Sequence, residues 1–176
     1  MDEIQRVFIP GSEWVYFKIY LGHKVADDLL IGRIDKILCS LARKKIMHKY
    51  FFVRYQDPDF HLRIRILLHK RANLENVLSL FYNCLYKDAA KFLIKKVQID
   101  TYVREIERYS VSLMAFSESL FYIDSVCMVK IIREINKNKK EEYRWMICLL
   151  LIDSLLNAFG FGLNETVSYT HLRAHE

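Results

Sequence analysis

The stretch 51-FFVRYQDPDFHLRIRILLH-69 contains two apolar runs on either side of a polar break. Both runs are short and rich in aromatic or β-branched residues, a composition that favours strands. Asp57 and Pro58 lie in the break, and this dipeptide favours a turn. The stretch therefore predicts two strands joined by a loop.

Cations lie inside both predicted strands, which is unusual for a sheet core. Because side chains alternate between faces along a strand, His61, Arg63 and Arg65 share one face, opposite the apolar residues between them. Arg54 shares a face of its own strand with Phe52. If the two strands pair, several cations converge on one sheet surface, where guanidinium groups could bind a carboxylate or phosphate. An exposed sheet face that carries cations against edge aggregation explains the same pattern.

The rest of the chain alternates between strand and helix patterns without a regular βαβ rhythm. The patterns predict strands over 13–20 and near 95–103, and helices over 24–45, 73–86 with Asn73 as N-cap, 117–135 and 143–159. The helix over 117–135 is expected to turn Leu120, Phe121, Met128, Ile131 and Ile135 towards the core. This order of elements predicts a single α+β domain with a mostly antiparallel sheet packed with amphipathic helices.

Composition narrows the class of protein, but it does not identify the binding partner. The chain has 176 residues, a net charge of +6 and a pI near 9.1, which could suit nucleic acid, a membrane surface or an acidic peptide. Its four cysteines are widely spaced in apolar segments, so we expect buried, reduced thiols in a cytoplasmic protein. The apolar run 145–156 is too short to cross a bilayer and contains Asp153, which favours a core helix. No common hydrolase, nucleotide or zinc motif occurs.

Two further segments combine charged and aromatic residues. In 100-DTYVREIERYS-110, local ion pairs at a turn explain the pattern, and such pairs contribute little at a surface. In 118-ESLFYIDS-125, Glu118, Tyr122 and Ser125 fall on one face of a helix. A solvated helix face and a functional site explain this spacing equally well.

Four segments, taken in order, resemble the C-terminal domain of lantibiotic dehydratases and its stand-alone relatives, the thiopeptide-type bacteriocin biosynthesis proteins. They are 10-PGSEWVYFKIYLG-22, 52-FVRYQDPDFHLRIR-65, 101-TYVREIERY-109 and 118-ESLFYIDS-125. The family pattern has proline where this chain has Arg104, and a glycine pair where it has Ser110 and Val111. Four ordered motifs are more specific than any one of them.

The resemblance implies a lyase that removes glutamate from glutamylated serine or threonine of a precursor peptide, leaving a dehydroamino acid. It implies as catalytic residues Arg54, His61, Arg63, Arg65 and Arg108, and as substrate-binding residues Tyr55, Tyr102 and Glu118. The arginines would hold the glutamate carboxylates, and His61 would assist or act structurally. The implied partners are the precursor peptide and a glutamylation-domain subunit, without cofactor, metal, membrane insertion or direct contact to nucleic acid; a homodimer is left open.

Two other functions fit the same resemblance. A thiopeptide-type cyclase would join two dehydroalanines into a pyridine ring. A non-catalytic subunit would use the basic face to dock an acidic leader peptide.

The resemblance also makes a prediction about the extent of the domain. The family domain is usually longer and includes a histidine region, so residues 1–166 are expected to form an incomplete domain. The final segment, 167-VSYTHLRAHE-176, resembles a translated sequencing adapter and is expected to be a non-native tail. His171 and His175 are therefore not equated with the histidine of the family.

Overall fold

A computed structural model describes residues 4–161 of the chain. The strands are β1 (Val7–Phe8), β2 (Trp14–Leu21), β3 (Met47–Gln56), β4 (Phe60–Leu68), β5 (Ile94–Ile99) and β6 (Tyr102–Val103). The helices are α1 (His23–Leu29), α2 (Asp35–Arg43), α3 (Leu74–Ala90), α4 (Ile106–Tyr109), α5 (Met114–Asn138) and α6 (Tyr143–Ala158). The prediction for residues 167–176 lies outside the described residues.

Four of the strands form one antiparallel sheet in the order β3-β4-β2-β5, while β1 pairs with β6. The hairpin predicted from the opening stretch is β3 and β4, joined by a turn at Asp57 and Pro58. This arrangement confirms the predicted α+β fold with an antiparallel sheet.

The two faces of the sheet differ because side chains alternate between them along each strand. On one face Leu62, Ile64 and Ile66 are fully buried, and Phe17 stacks on Phe81 of α3 with ring centroids 4.2 Å apart. This face forms the main core with the helices. The other face carries the cations of β4, and its aromatic end forms a smaller cluster of Phe8, Trp14, Tyr16, Phe51 and Tyr102.

The first two predicted helical segments are present, but their bounds and the predicted N-cap differ from the expectation. The periodic segment 24–45 forms α1 and α2, which are joined by a π-helical turn over Leu30–Ile34. The segment 73–86 forms α3, which extends further, to Ala90. Asn73 occupies the N-cap position, but its side chain makes no capping hydrogen bond because a 3₁₀ turn already precedes the helix.

The predicted core face of the long helix is wrong at Leu120, which is 37% exposed, whereas Phe121 packs against the aromatic cluster as expected. The polar residues Ser117, Glu118 and Ser125 are buried instead. Glu118 and Ser125 turn inward because each has a hydrogen-bond partner there, as described below. Apolar periodicity alone cannot reveal such a face, since it assigns polar side chains to solvent.

Two predictions of burial are also wrong. No residue of α6 is buried, so within residues 4–161 it is not the core helix expected from its composition. The four cysteines are free thiols, but Cys39 is exposed and the other three are only partly buried. In each case a high apolar content does not suffice for burial without a packing partner.

The described residues fall into two compact units that divide between Ile131 and Ile132. The first unit contains the sheet, α1 to α4 and the first part of α5. The second contains the end of α5 and α6. Among the described residues, no helix is both long and apolar enough to cross a membrane.

Candidate active site

A cavity of about 170 Å³ lies in the first unit, on the cationic side of the sheet. It is lined by residues of β3, β4, β6 and α5 and of the segment around α4: Phe51, Phe52, Val53, Arg65, Tyr102, Val103, Glu105, Tyr109, Met114, Phe121, Asp124 and Ser125. Ligand cavities for drug-sized molecules measure roughly 300–1,000 Å³. This smaller cavity can hold one amino-acid side chain, and a folded or extended peptide would remain outside it.

Arg65 is the cation at the wall of this cavity. Its guanidinium carbon lies 4.4 Å from the ring centroid of Tyr16, 5.0 Å from that of Tyr102 and 5.3 Å from that of Phe51. Its Nε atom is buried and has no hydrogen-bond partner within residues 4–161. Burial lowers the pKa of Arg65, although the neighbouring tyrosines oppose this shift. The aromatic rings thus hold a desolvated cation without neutralising it.

The strand register explains this aromatic surrounding. Arg65 lies opposite Tyr16 on β2 and opposite Phe51 on β3. Directly opposed residues in an antiparallel sheet share a face, so both rings flank the guanidinium. Tyr102 approaches from β6, where it belongs to the same aromatic cluster.

His61 and Arg63 form a hydrogen-bonded pair on the same sheet face as Arg65. The Nε atom of Arg63 donates to Nε2 of His61 at 3.0 Å, and the Arg63 guanidinium lies 3.5 Å from the ring centroid of Tyr55. Since Nε2 accepts, Nδ1 carries the proton and donates to the carbonyl oxygen of Asp59 at 2.9 Å. His61 is fully buried and stacks on Tyr20. It is therefore a neutral imidazole that orients Arg63.

Glu118, on α5, is buried in an ion cluster next to the cavity. Its Oε1 accepts hydrogen bonds from Arg104 Nε at 2.7 Å and from the Tyr102 hydroxyl at 3.0 Å. Its Oε2 accepts one from Arg104 Nη2 at 2.9 Å and lies 3.8 Å from Lys49 Nζ. Burial and the Glu118 charge raise the pKa of Tyr102, while burial lowers that of Lys49. Both carboxylate oxygens are thus engaged by protein donors.

The next turns of α5 contribute two polar groups to the cavity. The Ser125 hydroxyl accepts a hydrogen bond from the backbone N–H of Phe52 at 3.1 Å, which fixes the helix to the edge strand β3. Asp124 also lines the cavity, and although it is exposed at the surface, partial burial of its carboxyl group raises its pKa. No hydrogen bond or ion pair to Asp124 occurs within residues 4–161. In the same range, no group of three or more His, Cys, Asp or Glu side chains could hold a metal ion.

Three of the predicted arginines, Arg54, Arg63 and Arg108, do not line the cavity. Arg54 lies opposite Leu62 across the hairpin, so it shares the helix-covered face and pairs with Asp27 of α1. Arg108 is exposed on α4, where its Nη1 lies 3.4 Å from Glu105 Oε2. The expected convergence of cations on one face therefore holds for Arg63 and Arg65.

Sequence reasoning overlooked Asp124, Glu105 and Met114 as residues lining the cavity. A signal for Asp124 was available, because Asp124 follows Phe121 by three residues and therefore lies near the same helix face. For Glu105 no such signal exists, since it lies in an irregular segment just before α4.

The fold and the sequence motifs point to the same protein family. Residues 14–176 match the profile of the family described as lantibiotic biosynthesis dehydratase, C-terminal. The chain belongs to this family. The match includes the hairpin, β6 and the first turns of α5, which line the cavity.

The relatives are biosynthesis proteins of known lantibiotics. The chain is 32% identical to the subtilin biosynthesis protein SpaB of Bacillus subtilis over 73% of its own length, and 29% identical to the nisin biosynthesis protein NisB of Lactococcus lactis subsp. lactis over 69%. It spans only 12% of the length of each. Its fold matches the tRNA-dependent lantibiotic dehydratase MibB of Microbispora sp. 107891 with a TM-score of 0.64 and 25% identity, covering 74% of this chain and 13% of MibB.

Proposed function

We propose that this chain eliminates glutamate from glutamylated serine or threonine residues of a lanthipeptide precursor. One observation carries this proposal: Arg65 is a desolvated guanidinium whose Nε has no hydrogen-bond partner within residues 4–161, at the wall of a cavity the size of an amino-acid side chain. Such a group is costly to keep unless it serves a ligand. Membership in the lantibiotic dehydratase C-terminal family supports an anionic glutamyl ligand.

The reaction is a β-elimination on the acylated residue. A base takes the α-proton of that residue, the Cα–Cβ double bond forms, and the Cβ–O bond breaks. The electron pair of that bond leaves with the glutamate carboxylate. The peptide keeps a dehydroalanine or dehydrobutyrine, so an anion host for the departing group stabilises the transition state.

The dimensions of the cavity orient the glutamyl group. The peptide must stay outside, so the ester bond lies at the opening and the side-chain carboxylate reaches deepest. Arg65, surrounded by three rings, is the host of that side-chain carboxylate. Arg63 lies two residues away on the same sheet face, outside the cavity lining, and is the host of the carboxylate that departs at the opening.

His61 acts in this scheme as a positioning residue. Its Nδ1 proton is bound by the Asp59 carbonyl oxygen and its Nε2 lone pair is bound by Arg63. A ring with both nitrogens engaged cannot take a substrate proton without losing one of these contacts. Its contribution is to hold the Arg63 guanidinium against the ring of Tyr55.

The partners follow from this chemistry. The substrate is a precursor peptide whose serine or threonine has already been glutamylated, so a separate glutamylation domain acts first. We place no cofactor in the reaction, because the elimination requires only proton transfer and anion binding.

The test compares three forms of the chain on a glutamylated precursor peptide, with products followed by mass spectrometry. The wild type should release glutamate. Arg65→Gln should slow this release on the order of 10²–10³-fold, the usual cost of removing one such transition-state donor. The matched control is Lys96→Gln, which removes an exposed cation over the Tyr20 ring on the same sheet face and should release glutamate at the wild-type rate.

Two results would overturn the proposal. One is full dehydration by Arg65→Gln. The other is a wild-type product that lacks the leader peptide and carries a pyridine chromophore, which would identify the cyclase reaction instead.

A further inference from the structure

We propose that Asp124 is an ammonium subsite that recognises the free α-amino group of the glutamyl ester. This inference rests on the proposed function, since a glutamyl ester formed through the α-carboxyl group keeps its α-ammonium group and its side-chain carboxylate. A cavity selective for such a zwitterion needs one anion and one cation that are not already paired in the protein. Asp124 and Arg65 line the cavity from different elements, and neither forms an ion pair within 4.0 Å in residues 4–161.

The two charges occupy different parts of the cavity. Arg65 projects from the centre of the sheet, and the charges that act on its pKa are those of Tyr16, Tyr102, Arg63 and Glu105. Asp124 lines the same cavity from α5, a different element from the strand that carries Arg65. Asp124 is exposed whereas Arg65 is half-buried, so we place Asp124 on the solvent side of the cavity. This is where the α-amino group lies if the side-chain carboxylate points inward to Arg65.

Glu105 is the other carboxylate at the cavity, and it is less suited to this role. Its carboxylate already faces Arg108, with Oε2 3.4 Å from Nη1, and it is 62% exposed. It also acts on Arg65, which places it near the subsite assigned to the side-chain carboxylate. The Glu105 carboxylate supports the Arg65 guanidinium from this position. It would, however, compete with the side-chain carboxylate of the ligand for the same ammonium group.

The surroundings of Asp124 favour a cationic guest. Phe121 precedes it by one turn of α5, and the Tyr109 ring packs edge-on against Phe121 with centroids 5.3 Å apart. Aromatic faces and a carboxylate together form a usual host for an ammonium ion. The carboxylate has lost part of its hydration without gaining a protein donor, and a bound ammonium would supply that donor.

The experiment uses two precursor peptides that differ in one group. One carries glutamate as the ester on serine, and the other carries glutaric acid, which lacks the α-amino group but keeps the distal carboxylate. Elimination from both is followed by mass spectrometry for the wild type, Asp124→Asn and Asp124→Glu. Asp28→Asn, which alters an exposed carboxylate of α1, is the matched control.

The expected result is a loss confined to one substrate. Asp124→Asn should slow elimination of glutamate on the order of 10- to 100-fold, the effect of one charge-assisted hydrogen bond, and leave elimination of glutarate unchanged. Asp124→Glu should restore part of the preference for glutamate, and Asp28→Asn should retain all of it. Circular dichroism of each variant separates a folding defect from lost recognition.

Two outcomes would overturn the inference and leave the proposed function intact. An equal loss on both substrates would make Asp124 a base or a structural residue, and an unchanged preference in Asp124→Asn would remove it from recognition. Failure of the wild type to eliminate either acid would instead overturn the proposed function.

Discussion

Two charged clusters contact Tyr102, and they differ in how many of their hydrogen-bonding groups have partners in the protein. Around Glu118, the carboxylate accepts three hydrogen bonds of 2.7–3.0 Å from Arg104 and Tyr102. Around Arg65, three rings surround a guanidinium whose Nε has no partner within residues 4–161. Tyr102 contributes its hydroxyl to the first cluster and its ring to the second.

The difference distinguishes a buried charge that stabilises the fold from one that the fold merely keeps in place. A buried charge with all of its donors and acceptors paired fixes local geometry, and removing one member leaves the others unpaired. A buried charge without partners contributes nothing comparable to the folded state, so a function is the better reason for its presence. The following three changes test this contrast between Glu118 and the cavity.

The largest effect on stability is expected for Glu118→Ala. It leaves Arg104 and Lys49 as uncompensated charges and removes the acceptor of Tyr102, so the free energy of unfolding should fall by about 3–5 kcal/mol. Urea denaturation followed by circular dichroism measures the change. Glu107→Ala, which breaks an exposed pair with Arg6, is the control and should leave the urea midpoint almost unmoved. A similar midpoint for both variants would contradict a structural role for the Glu118 cluster.

A smaller effect is expected for His61→Phe. The new ring keeps the stacking on Tyr20 but loses the hydrogen bonds to Asp59 and Arg63, so unfolding should become easier by about 1–3 kcal/mol. The same variant should slow glutamate release, because Arg63 is no longer oriented. Urea denaturation and the elimination assay measure the two effects. Wild-type glutamate release by a folded His61→Phe protein would show that Arg63 needs no orientation by His61.

The smallest effect, of opposite sign, is expected for Asp124→Asn. Burial raises the pKa of Asp124, so the folded state disfavours its charged form. The resulting penalty is absent below the ordinary aspartate pKa of about 3.9 and is complete above the raised pKa. The variant should therefore be slightly more stable than the wild type at neutral pH, and the gain should vanish in acid. Thermal unfolding at several pH values measures it, and a destabilised variant at neutral pH would show that the Asp124 carboxylate supports the fold.

The sequence predicted the elements of the site better than their contacts. The hairpin β3–β4 and the shared face of Arg63 and Arg65 followed from alternation alone, which depends only on strand geometry. Asp124 could have been found from its helical spacing to Phe121. The ion cluster of Glu118 could not, because Arg104 and Lys49 come from segments that only the folded chain brings to α5.

The sequence by itself determined the fold class, the family motifs and the alternation of cations and apolar residues along β4. Only the tertiary structure decided which cations lie together on the same sheet face. Arg54 lies opposite Leu62 because the turn at Asp57 and Pro58 sets the hairpin register, and a shift of one residue would have moved it to the other face. It also decided that the Nε of Arg65 has no hydrogen-bond partner within residues 4–161, while Arg54 pairs with Asp27. Local periodicity carries no information about these long-range partners, which depend on how helices and strands pack.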